Sequence, residues 1–233
     1  MKDIQRDILD KITPEIRKEM ESIWFTADLH AQHPKVVEIC NRPVYLTSTQ
    51  LIDVKQKDVS DPMYKNLINI THNEWLVKEV INKYVRNKDD LYILGDVTMA
   101  NKIASDKFLD RLNGNKRLIL GNHDKNIKHS TRFAEITQIK DFTYSRKEYG
   151  INIHIVLCHY PMSSWNRRIH GSWMLYGHVH GRNKNVGRSL DVGIDAQLWR
   201  PLNLYEICLL MNEKPFADDV YMEKRLEANK GEI

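Results

Sequence analysis

Apolar and polar residues follow two rhythms along this chain, and the rhythm changes where elements should change. Residues 2–12 and 14–21 carry apolar side chains at helical spacing. Between them, Thr13-Pro14 supplies an N-cap followed by proline at the first helical position, which predicts two short helices rather than one. "SIWFTA" (22–27) reads as a strand from its aromatic and β-branched content. Residues 43–70 show no clean period and are expected to form a partly structured insertion. Thr71 to Glu74, "THNE", matches a capping box, after which Leu76, Val77, Val80, Ile81, Tyr84 and Val85 share one helical face. "LYIL" (91–94) predicts a second buried strand, followed by a helix over about 99–112 that ends at Asn113-Gly114. Further strands are expected at "RLIL" (117–120), "INIHIVLCH" (151–159), "WMLYG" (173–177), "SLDVGID" (189–195) and "LYEICLL" (204–210). This order predicts an α/β core with a β-rich second half. No linker divides it, so residues 22–233 are expected to form a single domain behind a helical extension at 1–21.

Composition changes this picture only at a few points. A chain of 233 residues can bury one large core without a second domain. The net charge of +4 is mild and spread along the chain, so charge alone does not indicate nucleic acid. Cys40, Cys158 and Cys208 are odd in number and far apart, which argues against a disulfide framework or a cysteine zinc site and suits a reducing compartment. The N-terminal residues alternate charges with isolated Ile and Leu and do not read as a signal peptide, and no apolar run reaches transmembrane length. A cytoplasmic location is expected. Ten histidines against three cysteines is the informative imbalance.

Those histidines collect where strands end. "WFTA" is followed by Asp28-Leu29-His30, "LYIL" by Gly95-Asp96, and "RLIL" by Gly121-Asn122-His123-Asp124. "IVLC" is followed by His159, and "MLY" by Gly177-His178-Val179-His180. In α/β folds ligands bind at the carboxyl ends of strands, where loops present polar groups on a rigid frame. Taken singly, each piece has a plainer reading: a turn, a helix cap, a surface imidazole or a satisfied core histidine. Together they offer about seven oxygen or nitrogen donors at one topological position. Carboxylate, imidazole and amide donors without thiolate suit manganese, iron(II), zinc or nickel. Seven donors exceed the needs of one ion and suit two, with one carboxylate bridging.

In this order the five blocks resemble the calcineurin-like metallophosphoesterases: D-x-H, G-D, G-N-H-(D/E), H and G-H-x-H. The resemblance runs from about residue 23 to 195, and "HYPMSSWN" (159–166) with "DVGIDA" is similar to a small bacterial and phage branch of that family. It implies an αββα sandwich, two packed β-sheets flanked by helices. It also implies that Asp28, His30 and His180 hold a first ion, that Asp96 bridges, and that Asn122, His159 and His178 complete a second site. His123 is then not a ligand but faces the scissile phosphate. The implied cofactors are two divalent ions, manganese foremost, with iron(II), zinc or nickel as alternatives. The implied reaction is hydrolysis of a phosphomonoester or phosphodiester by hydroxide held between the ions.

Other residues complete the expected site. Asp124 orients His123 or caps the segment that follows it. His33 is within reach of a phosphate oxygen, and Arg182, with Lys184 and Arg188, offers cations to an anionic substrate. Trp165 either stacks on a nucleobase or packs beneath its loop, and Cys158 is expected to be a buried strand residue. The expected partner is a small phosphorylated substrate such as a nucleotide, with no membrane. A metal-dependent nuclease is the alternative, against which stands the lack of a basic face with interleaved aromatics. A non-catalytic scaffold of the same fold is the third reading, disfavoured because the whole ligand set is present.

Overall fold

A computed structural model describes residues 6–43, 45–47, 50–51, 62–183 and 187–214. Its frame is α/β, with two mixed sheets of five and four strands. In the first sheet β1 (Ile23–Thr26) pairs in parallel with β4 (Asp90–Ile93), β4 with β5 (Asn115–Ile119), and β5 with β6 (Glu135–Thr137). The short β11 (Leu202–Asn203) closes the other edge, antiparallel to β1. In the second sheet β8 (Ile151–Cys158), β9 (Trp173–Tyr176) and β10 (Ser189–Asp191) run parallel, and β7 (Ile139–Arg146) lies antiparallel on β8. A two-stranded ribbon, β2 (Tyr45–Thr47) with β3 (Gln50–Leu51), stands apart.

Strand alternation determines which side of each sheet is dry. Phe25, Tyr92, Ile119, Ile153, Ile155, Leu157, Trp173 and Leu175 face the space between the sheets and form one core. Their neighbours Trp24, Leu91, Ile93 and Leu118 point to the opposite face of the first sheet, where Leu76, Val80, Ile81, Phe108 and Leu109 cover them. Trp173 is 2% exposed at the centre of the inter-sheet core. We expect Trp173→Ala to lower stability by about 3–5 kcal/mol, read from a urea or thermal midpoint, because the cavity cannot collapse between two sheets.

Four elements differ from the expectation. The run at 204–210 is not a strand but the start of α6 (Leu204–Asn212), capped by Asn203, whose side chain accepts from Glu206 N at 2.9 Å while Glu206 returns the bond to Asn203 N. A short apolar run is ambiguous between strand and helix, and here the box at its front decides. Thr71 does not cap a helix: it lies inside α4 (Pro62–Trp75), and its hydroxyl donates back to the carbonyls of Leu67 (2.8 Å) and Ile68 (3.1 Å). The helix therefore begins within the stretch expected to be irregular, at Pro62, and runs on as a π-helix over Leu76–Ile81. The strands β6 and β7 were not anticipated at all.

A loop covers part of the outer side of the second sheet. Among the described residues it is Trp165 and Met162, from the loop after β8, that pack on Val156, Cys158, Met174 and Tyr176. The outward positions Thr143, Ser145, Asn152 and His154 are polar, and the outward apolar positions of β8 are Val156 and Cys158 at its end. At the N-terminus α1 (Arg6–Leu9) and α2 (Pro14–Met20) are no loose extension. Ile8, Ile16 and Met20 enter the inter-sheet core beside Leu204, Ile207 and Met211 of α6, and Thr13 caps α2 through Ile16 N. Glu19 adds a bond from Arg146 Nε at 2.9 Å. Among the described residues no helix is long and apolar enough to cross a membrane.

Candidate metal centre

Because β1, β4 and β5 run parallel, as do β8 and β9, all five strands end on the same side of their sheets. The ladder continues past them: Asp28 N bonds to Gly95 O at 3.0 Å and His30 N to Asp96 O at 2.9 Å. The two sheets meet there through an isolated parallel bridge between Ala27 and Gly193, and within the second sheet the β8–β9 ladder continues with Gly177 N bonding to His159 O at 2.9 Å. His178 N donates to the Asp28 carboxylate at 2.9 Å, joining the loop after β9 to the loop after β1.

The side chains at these strand ends form two groups of three whose donor atoms lie within 4.8 Å of one another, Asp28 with His30 and His180, and Asp96 with His159 and His178; a third group among the described residues joins His180 to Cys40 and Asp195. Asp96 lies between the first two, its Oδ2 3.6 Å from His30 Nε2 and 3.5 Å from His159 Nε2. Asp28 Oδ1 stands 3.9 Å from both His30 Nε2 and His180 Nε2. Asn122 is exposed at the rim of the second group, its Oδ1 3.5 Å from Tyr160 Oη.

Holding these groups so close has a backbone cost. Asp28, His30, Asp96, His178 and His180, five of the six clustered residues, sit at φ between 50° and 72°. Each non-glycine residue there gives up roughly 1–2 kcal/mol, a cost that persists only where surrounding structure enforces it. Glycine spacing makes the approach feasible. A Cβ on Gly121 would collide with the Asp96 carboxylate, and one on Gly95, at φ +85°, with the His159 ring.

Burial and proximity displace the titration of the cluster. Burial raises Asp28 to about 7 and lowers His30 to about 3. Burial works against protonation of His180, yet the bond to Asp195 and the Asp28 charge carry it up to about 10. Asp195 is held well below the usual carboxylate range, despite its burial, by His180 and Arg42.

Asp124 serves neither of the roles expected for it. Its carboxylate accepts from Gly121 N at 2.8 Å and from Asp96 N and Val97 N at 2.9 Å each, tying the loop after β5 to the loop after β4. Asp124→Ala would leave three backbone donors without an acceptor in a buried place. We expect it to lower stability by about 3 kcal/mol, measured by denaturant unfolding, although the residue touches none of the clustered donors itself.

The remaining expected contacts divide. The His123 ring is 41% exposed, with Nε2 3.9 Å from Asp96 Oδ2, while its backbone N donates to Asp96 Oδ1 at 3.0 Å. The His33 ring centre lies 5.6 Å from that of His30, and its buried Nδ1 has no hydrogen-bond partner. Arg182 is exposed immediately after Gly181, Arg188 is buried rather than displayed, and Lys184 lies outside the described residues. Trp165 is buried and donates Nε1 to Ser172 O at 3.1 Å, so it packs under its loop and presents no face to a base.

Sequence reasoning missed a layer behind the cluster, Cys40, Arg42, His72, Asp191 and Asp195, and the exposed Tyr160, whose ring centre lies 4.9 Å from that of His159 and 4.8 Å from that of His178. Asp195 lies two residues after Gly193, beyond β10, as Asp96 directly follows Gly95 beyond β4, and that strand-glycine-carboxylate order was the available signal. Arg42 and His72 gave no signal, since neither follows a core strand.

No family model matches the chain. It is similar to an uncharacterized protein of Methanocaldococcus jannaschii, 25% identical over 203 residues, covering 83% of this chain and 93% of that one. The Gene 66 protein of Mycobacterium phage D29 is 27% identical over 213 residues, covering 78% and 92%. Among solved structures, a protein of unknown function from Aquifex aeolicus shares the fold at a TM-score of 0.51 and 20% identity, over 81% of this chain and 98% of that one.

Proposed function

We propose that this chain is a dinuclear metal-dependent phosphoester hydrolase of the calcineurin-like kind that its motifs resemble. One observation carries the reading: a single buried carboxylate, Asp96, stands between two three-donor groups, within 3.6 Å of an imidazole nitrogen of each. The donors fit divalent ions. Both ring nitrogens of His30, and His159 Nε2, are buried without hydrogen-bond partners, which is costly for polar atoms unless something else engages them. His159 Nδ1 donates to Leu94 O at 2.7 Å, which leaves Nε2 as a lone pair facing Asp96.

Asp28, His30, His180 and Asp96 would hold one ion, and Asp96, Asn122, His159 and His178 the other. Manganese is the first choice for this oxygen and nitrogen set, with iron(II), zinc or nickel as alternatives. When bound, such a pair lowers the pKa of water and neutralises charge on a phosphoryl group. The protein's own part is orientation. His123, at the exposed rim and outside both groups, is placed to donate a proton to a leaving oxygen. His33, beside His30, and the exposed Arg182 would contact phosphoryl oxygens. The substrate class is a small phosphorylated molecule, a nucleotide among them, as monoester or diester, and the expected setting is cytoplasmic.

The test is manganese-dependent hydrolysis of bis(p-nitrophenyl) phosphate, p-nitrophenyl phosphate and single-stranded DNA by the full chain. Turnover of either small ester is expected. Cleavage of DNA alone would favour a nuclease. No turnover of any of the three with two ions bound would overturn the enzymatic reading in favour of a scaffold.

A further inference from the structure

Behind His180 lies a buried ion pair that the proposed reaction does not by itself require. Arg42 follows α3 (Pro34–Ile39), and its guanidinium meets the Asp195 carboxylate through two bonds, Nε to Oδ1 at 2.8 Å and Nη2 to Oδ2 at 2.6 Å. The Arg42 side chain is fully buried, and that of Asp195 is 5% exposed. A pair so deep is strongly destabilising if either partner is removed alone, so its retention needs a reason.

The other contacts supply one. Arg42 Nη2 also donates to Asp28 O at 2.7 Å, and Nη1 donates to Leu29 O at 2.7 Å and to His72 Nε2 at 3.1 Å. It therefore clamps the backbone between Asp28 and His30, both of which sit at positive φ. Asp195 Oδ2 accepts from His180 Nδ1 at 2.6 Å, and Cys40 Sγ stands 3.4 Å from the same nitrogen. An imidazole that donates from Nδ1 to a carboxylate has its ring orientation fixed by that bond, and the outward Nε2 is the nitrogen left to hold an ion once it gives up its proton. In His180 the outward nitrogen faces Asp28.

We infer that Arg42 and Asp195 form a positioning pair for one half of the cluster: Asp195 sets the tautomer and ring angle of His180, while Arg42 holds Asp195 and the strained Asp28–His30 backbone. The pair serves the Asp28, His30 and His180 group and makes no contact with His159 or His178. Its effect is thus confined to one of the two ion positions. This rests on the metal-binding part of the proposed function and not on which ester is cleaved.

The experiment is calorimetric titration of the metal-free full chain with manganese, paired with histidine nitrogen NMR of the zinc-loaded protein. Asp195→Asn is expected to weaken one of two binding steps by about 10–100-fold and leave the other within about threefold. Arg42→Lys, which keeps the charge but loses the fork, is expected to weaken the same step by a smaller factor. A low-field Nδ1 proton of His180 is expected in the wild type and should be lost in Asp195→Ala. Asp89→Asn serves as control: Asp89 is equally buried, bonded to Trp24 Nε1 and Arg86 N, and distant from the cluster, so it should cost stability without changing ion affinity. If Asp195→Ala does not fold, the folded Asp195→Asn and Arg42→Lys variants decide. Unchanged affinity at both steps in a folded Asp195 variant overturns the inference, as does equal weakening of both steps. A wild-type chain that takes up no divalent ion overturns the metal reading beneath it. Two ions bound without ester hydrolysis removes the enzymatic reading and still supports the pair.

Discussion

Asp96→Asn is expected to abolish uptake of both ions and hydrolysis together, by at least about 10³-fold, well beyond the 10–100-fold typical when a residue supporting a ligand is lost. The reasoning is geometric. Among the described residues, Oδ2 of Asp96 is the one carboxylate oxygen within 3.6 Å of imidazole nitrogens from both groups. Burial opposes its ionisation, but His159, His30 and the His123 backbone N–H hold its pKa to about 2, so it is an anion at any working pH. Asparagine keeps the shape, and its amide oxygen can still accept from His123 N. It removes the charge shared by the two positions and turns an NH₂ group toward one of them. The fold should survive, with a thermal midpoint near that of the wild type. Metal analysis after gel filtration checks the result, and a folded Asp96→Asn protein that retained two ions would sink the bridging assignment.

His123→Ala should separate what Asp96→Asn removes together. The His123 ring lies at the exposed rim and belongs to neither three-donor group. Both ions are therefore expected to remain, while kcat falls by about 10²–10⁴-fold, the usual contribution of a general acid. The deficit should depend on the leaving group. A p-nitrophenolate leaves without help from an acid, whereas an alkyl alcohol does not, so the variant should lose much less on nitrophenyl esters than on alkyl esters. Loss of metal from His123→Ala, or an equal loss on both ester types, would rule out the leaving-group role.

Much of this protein was legible without coordinates. Short, near-continuous apolar runs located β1, β4, β5, β8 and β9, because a strand buried on both faces has little choice of side chain. Polar residues at their ends marked the cluster, because strand ends in an α/β frame lie on a common edge once the strands are parallel. The run at 204–210 was misread since its length and apolarity suit either element, and the deciding bond comes from Asn203 just outside it. Strand β7 was missed since its alternation, Phe142 and Tyr144 inward and Thr143 and Ser145 outward, is broken by charges tolerated at a sheet edge.

The sequence by itself determined the chemical inventory of the site and its order along the chain: which strand end carries a carboxylate, an imidazole or an amide. The grouping into two sets and the place of Asp96 came from the resemblance and not from local spacing, and the tertiary structure brings Asp28, His30 and His180 together and Asp96 together with His159 and His178. Tertiary structure alone decided that Asp124 ties two loops through three backbone N–H groups rather than orienting its neighbour. It also decided that Arg42 reaches Asp195 across 153 positions of sequence. The division has a physical cause. Local rhythm and loop chemistry act over a few residues and leave their mark in spacing. The direction of a buried side chain, and the positive φ that aims it, is imposed by packing partners far away in the chain, and no local pattern records them.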